Sequence, residues 1–353
     1  VISMSTIAAT SRPGIKADGI VLTFVAGSCT LKCGGCPIVT MRELTKDIPG
    51  DILNELHLTG EDFVDFARSV NQQYHVGKVL MQGYEPLHPE TLPYTKALMS
   101  WGRIANIPEV GFITNGQHWD QSFIEWCATN QIAITISLNS DDDAVHNPTR
   151  GFKAAEDVHE YSLFTDTDSV IKGIVTTYLQ VNSPEVVQDL ITITSILFTP
   201  RGAEHLVRLP EFVKEEYGLS NIVFNPYLHD NGTGILVPRE VEQSLIALEQ
   251  IRQAGEAVEV KVWGPAEMTA VIEPELREEF PNLEFHGDMQ HLHTRLTSEG
   301  RLKVSGHGKG LFGIVDDQTP TWYPDRYDKH VPAHEMLATL RPDISFYARQ
   351  QAA

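Results

Sequence analysis

The chain is short of three things. Only four of its 353 residues are cysteine, which excludes a disulfide-dense secreted scaffold and suits a reducing compartment, so a cytoplasmic location is expected. No apolar run approaches the roughly 18 to 20 residues that a membrane span requires. Residues 1–16 lack the basic, apolar and small-residue order of a secretory signal and read as a short arm, with Met4 a candidate start. Basic charge is scarce as well: 27 Lys and Arg face 47 Asp and Glu, a formal net charge of −20. Such a surface repels a phosphate backbone, and no basic stripe interrupts it. Neither nucleic acid nor membrane is an expected partner. What is present, 42% hydrophobic and 21% charged residues, is the composition of a globular protein with a large core.

The few cysteines are concentrated. Cys29, Cys33 and Cys36 lie within Cys-Thr-Leu-Lys-Cys-Gly-Gly-Cys, a C-x3-C-x2-C spacing. Clustered thiolates hold a metal or a disulfide, and three of them fall one short of a closed four-ligand site. Three readings of these residues stand: unrelated buried thiols, a zinc knuckle completed by a remote ligand, and a [4Fe–4S] cube with one iron open to a ligand from solution. Lys32, Gly34 and Gly35 suit an exposed turn better than a packed core. Cys127, on an apolar helical face with Phe123 and Trp126, reads as a buried structural thiol.

From residue 19 onward, short apolar runs alternate with segments of helical period, the pattern of repeated βα units around a parallel sheet. The spacing predicts strands at 19–25, 76–81, 110–114, 133–138, 190–198 and 221–227, with a further strand at 258–263. Helices are expected at 39–44, after an N-cap at Thr59, at 92–104, 121–129, 151–163, 169–181, 203–217 and 239–254. Gly218 and Gly255 are expected to end the last two. Residues 141–150 read as an acidic loop, and the part after 263 as a broken helix, a histidine-bearing segment, a strand at 301–305 and an irregular tail.

The cysteine spacing, the apolar strand before it and the Gly34-Gly35 pair resemble the signature of the radical SAM superfamily. The resemblance runs from about residue 19 to 227 and implies a partial (β/α)6 TIM-like barrel. It divides the chain into an N-terminal arm (1–18), a barrel core (19–230) and a C-terminal extension (231–353) capping the barrel mouth. Cys29, Cys33 and Cys36 would hold a [4Fe–4S] cluster whose open iron chelates S-adenosylmethionine (SAM). Gly83-Tyr84-Glu85-Pro86, ending the second strand, resembles the family's Gly-Gly-Glu element, with Tyr84 in place of the second glycine; in the family this turn offers carbonyls to the SAM ammonium. Ser137 and Asn139 resemble the element that contacts the ribose and carboxylate of SAM; Thr114 and Asn115 are further cofactor candidates. Arg150 is a candidate clamp for the carboxylate, or else a loop arginine in a surface ion pair. Asn225, Tyr227, His229, Trp263 and His307 are candidate substrate contacts, and Tyr323 and Tyr327 candidate cap residues.

The histidines of the last third, His286, His291, His293 and His307, show no i, i+4 metal pair. Residues 298–307 look like the hairpin that opens auxiliary-cluster extensions in the family, but no cysteine follows Cys127. That argues against the auxiliary-cluster maturases. The resemblance thus implies reductive cleavage of SAM, with an electron donor such as flavodoxin or ferredoxin. Hydrogen would be abstracted from a small polar metabolite in a biosynthetic pathway. The alternatives are a peptide or protein side chain as substrate and, from a different class, a non-catalytic zinc or iron–sulfur interaction module.

Overall fold

A computed structural model describes residues 20–25, 29, 31, 33, 59–73, 76–82, 85–150, 163–197, 203–226, 228–230, 236–238, 241–265, 278–286, 291–296, 302–308, 311–315, 321–324 and 331–332. Strands β1 (Ile20–Val25), β2 (Val76–Met81), β3 (Glu109–Thr114), β4 (Ala133–Ser137), β5 (Ile191–Leu197) and β6 (Asn221–Pro226) lie side by side in chain order. All are parallel. The helices between them are α1 (Gly60–Gln73), α2 (Leu92–Ile104), α3 (Gln121–Thr129), α4 (Asp143–Arg150), α5 (Leu163–Leu179), α6 (Pro184–Leu190) and α7 (Ala203–Tyr217). The fold is α/β, and the sheet does not close. The expected helix at 39–44, most of the one at 151–163 and the arm at 1–18 lie outside the described residues.

The period of two decides which face of the sheet is covered. In β4, Ile134 and Ile136 are fully buried while Ala133, Thr135 and Ser137 are half-buried. The buried set faces the helices: Phe112 of β3 stacks on Phe123 of α3 at 5.9 Å between ring centroids. The other face is the inner one. Near the amino ends of β2 and β3 it carries the largely buried Lys78–Glu109 ion pair. Toward the carboxyl ends it carries hydroxyls and an amide.

Three sequence expectations are corrected. The acidic loop contains α4: Asp142 caps it, accepting from Ala144 N at 2.7 Å, so the run of aspartates is a helix N-terminus, where negative charge meets the helix dipole. Gly218 does end α7, with φ +66°, but α8 (Val241–Ala257) runs through Gly255. A Cβ there would meet the Val260 carbonyl oxygen at 2.6 Å, so this glycine permits close approach to the strand that follows rather than a stop. The described part of the tail is not irregular. Beyond β9 (Lys261–Pro265) and β10 (Phe285–His286), which extend the β6 edge in parallel, β11 (His291–Leu296) pairs parallel with β1. Strands β12 (Leu302–Gly308), β13 (Leu311–Val315), β14 (Thr321–Pro324) and β15 (Val331–Pro332) continue the sheet antiparallel. A separate hairpin pairs β7 (Leu228–Asp230) with β8 (Leu236–Pro238). Among the described residues no helix is long and apolar enough to cross a membrane.

Candidate active site

The carboxyl ends of β1 to β3 are tied to one another. Gln82, just past β2, donates its backbone N–H to the Phe24 carbonyl of β1 at 2.9 Å. Beyond β1, Cys29 and Cys33 are half-buried thiols. Cys36, Gly83, Tyr84 and Tyr227 lie outside the described residues. Among those that are described, no group of three or more His, Cys, Asp or Glu is placed to hold a metal ion.

Glu85 is fully buried and joins β2 to β3. Its Oε1 accepts from the Thr114 hydroxyl at 2.6 Å and from Leu87 N at 2.9 Å, and its Oε2 from Asn115 N at 2.7 Å. Burial pushes its carboxyl up to about 7, opposed by those three donors and by the charge of Arg150. Pro86 is also buried, and its carbonyl accepts from the Thr95 hydroxyl at 2.8 Å. Held in this way, Asn115 reaches the cysteine loop, its Nδ2 lying 3.7 Å from Cys29 Sγ.

The end of β4 is built differently. Asn139, 1% exposed, donates its backbone N–H to His146 Nδ1 at 3.2 Å and its Nδ2 to Thr149 Oγ1 at 3.1 Å. Arg150 is buried rather than in a surface ion pair, and its Nη2 donates to the Ser137 carbonyl. Because Nδ1 of His146 accepts, Nε2 carries the ring hydrogen. That Nε2 and the Nε of Arg150 are buried without a hydrogen-bond partner. Burial, and then the Arg150 charge, lower the His146 pKa to about 2, so the ring stays neutral.

On the inner face, register places Ser137, Thr194, Val223 and Trp263 in one cross-strand row over β4, β5, β6 and β9. Asn225 Nδ2 donates to Thr194 Oγ1 at 2.7 Å. Trp263 is 7% exposed, its Nε1 buried and unpartnered, and Lys261 Nζ lies 4.0 Å from its ring centroid. Two groups of candidates are thus brought together: Cys29, Glu85, Thr114 and Asn115, and, along the row, Ser137 and Trp263, with Asn225 joined to the row through Thr194. His229 lies on β7, and His307 sits on β12 opposite His291.

His146 was not singled out in the sequence. Its signal was available: it stands four residues before Arg150, on the same side of α4. Cys127 is buried as expected, and burial raises its thiol well above the usual range.

The residues fit the groups that the resemblance implies. The half-buried Cys29 thiol sits beside the Asn115 side-chain amide at the carboxyl end of β3, and a buried arginine and imidazole keep donors without a partner among the described residues at the end of β4, where an anionic or acceptor group would find them.

No protein-family model matches the sequence, and no curated protein matches it. Solved structures do. SuiB from Streptococcus suis superposes with a TM-score of 0.56 at 14% identity, over 81% of this chain and 60% of that one. SuiB bound to S-adenosylmethionine gives 0.52 at 16% identity, with the same coverage. Native anSMEcpe with bound AdoMet gives 0.52 at 14%, over 80% of this chain and 74% of that one. The chain therefore spans about 60% of the length of SuiB. At these identities the likeness concerns the fold alone, the α/β architecture with an open parallel sheet described above.

Proposed function

We propose that the chain is a radical SAM enzyme in which Cys29, Cys33 and Cys36 hold a [4Fe–4S] cluster and the ends of β2 to β4 bind SAM. The observation that supports this reading is the contact of Asn115 with Cys29 at the carboxyl end of β3, where Glu85 holds the Asn115 backbone. Held by these cysteines, such a cluster would supply the single electron for reductive cleavage of SAM to methionine and a 5′-deoxyadenosyl radical able to take hydrogen from a substrate. The protein has to orient and to exclude water. Glu85 fixes the turn between β2 and β3, Ser137 and Asn139 present polar groups at the end of β4, and Arg150 offers an unpartnered N–H to the SAM carboxylate. The C-terminal strands, next to β1, are assigned the covering of the site.

Ser137, Thr194 and Asn225 on the inner face favour a small polar metabolite: a sugar, nucleoside or amino-acid derivative. Thr194 and Asn225 satisfy one hydrogen bond between themselves and, with Ser137, keep further donor and acceptor capacity that a polar substrate can use. The test is anaerobic reconstitution with iron and sulfide, reduction with dithionite, addition of SAM and assay of 5′-deoxyadenosine, beside Cys33→Ala. Formation only with intact cysteines is expected. Zinc binding without deoxyadenosine would overturn the assignment, and tight binding of a basic leader peptide without turnover of small molecules would replace the substrate class.

A further inference from the structure

Asn115 has both ends of its side-chain amide assigned by what they touch. Its Oδ1 accepts from the backbone N–H of Gln117 at 2.9 Å, a role that only the oxygen can fill. The group turned toward Cys29 is therefore Nδ2, a donor, 3.7 Å from Sγ and within reach of a sulfur acceptor; it also donates to Gln117 Oε1 at 3.3 Å. The residue is 8% exposed. Its backbone is held on both sides, by Glu85 Oε2 on its N–H and by the Thr167 hydroxyl on its carbonyl at 3.4 Å.

We propose that Asn115 is a positioning residue whose amide N–H donates to the Cys29 thiolate and raises the reduction potential of a cluster bound there. The inference rests on the assignment of Cys29 as a cluster ligand. One electron taken from dithionite adds one negative charge to the cluster and its thiolates, and a hydrogen bond to a ligating sulfur stabilises the more negative state. Removing the donor makes that electron harder to add. A carboxylate in its place adds repulsion to the loss.

The experiment compares wild type, Asn115→Leu, Asn115→Asp and Thr167→Val after anaerobic reconstitution. Iron content is measured first. A redox titration of the reduced cluster by electron paramagnetic resonance, without SAM, follows. At the potential where the wild type is half reduced, Asn115→Leu is expected to show a ratio of reduced to oxidised cluster about fivefold lower, and Asn115→Asp a larger drop. Thr167→Val loosens the same turn but keeps the amide, and is expected to titrate like the wild type. If Asn115→Asp does not fold, Asn115→Leu alone carries the measurement. Equal potentials at full iron content would overturn the proposal, as would an equal shift in Thr167→Val. A wild type that takes up no cluster would instead sink the reading of the cysteines, which iron content distinguishes.

Discussion

The ends of β2 and β3 and the end of β4 occupy equivalent places in the fold and treat buried charge in opposite ways. At the first, one carboxylate collects three donors from two strand ends and the turn between them. At the second, a buried arginine and a buried imidazole each keep an N–H without an acceptor among the described residues. A joint needs its polar groups satisfied from within, whereas a receptor needs some left over. The comparison separates Glu85, which holds the site together, from Arg150, which we propose reaches outward.

The largest effect is expected at the joint. Glu85→Leu strands the Thr114 hydroxyl and two backbone N–H groups, and urea denaturation is expected to show a loss of roughly 3–5 kcal/mol. A loss below about 1 kcal/mol would mean that the three bonds do not hold the turn.

Next comes pH. With its pKa raised to about 7, native Glu85 keeps a proton that the unfolded chain loses above about 4.5, so its contribution is full below 4.5 and fades as pH rises through 7. His146, lowered to about 2, does the reverse: the unfolded chain binds a proton below about 6.5 that the native ring refuses, and stability is lost as pH falls. Between about pH 4.5 and 6.5 the two slopes cancel. The two groups are unmasked by single variants. On going from pH 6.5 to 4.5, His146→Gln is expected to gain roughly 3 kcal/mol and Glu85→Gln to lose about as much. Unchanged flat profiles in both variants would remove the contrast.

At the receptor end, Arg150→Met is expected to weaken SAM binding roughly tenfold in equilibrium dialysis of the reconstituted protein, and unaltered affinity would return Arg150 to a structural role. The smallest effect belongs to His146→Leu, which leaves the Asn139 N–H without its acceptor at a cost of about 1 kcal/mol. Thermal unfolding checks it.

Period and caps made the regular elements readable. β2, α2 and α3 occupy the stretches that alternation and helical spacing assign to them. The cysteine spacing and Glu85, on which the proposed site rests, are local patterns of the same kind. What escaped depends on contacts that no local pattern reports. Pro148 and the neighbouring aspartates hid α4, and with it His146, whose partner is a backbone N–H seven residues away. Glu85 read as part of a cofactor turn, yet its carboxylate serves a neighbouring strand that begins more than twenty residues later. Among the C-terminal strands β12 was expected at 301–305, while β11 escaped because it finds its neighbour at the opposite end of the chain.

That last pairing has a consequence for the order in which the molecule is made. Val21 lines up with His291, and at roughly 5–20 residues per second a ribosome needs tens of seconds to pass from one to the other. During synthesis the strand that leads toward Cys29 keeps one flank without its β11 neighbour until the last part of the chain emerges. A chain cut short before His291 never gains that neighbour and keeps an unpaired sheet edge beside the cysteines, a template for aggregation.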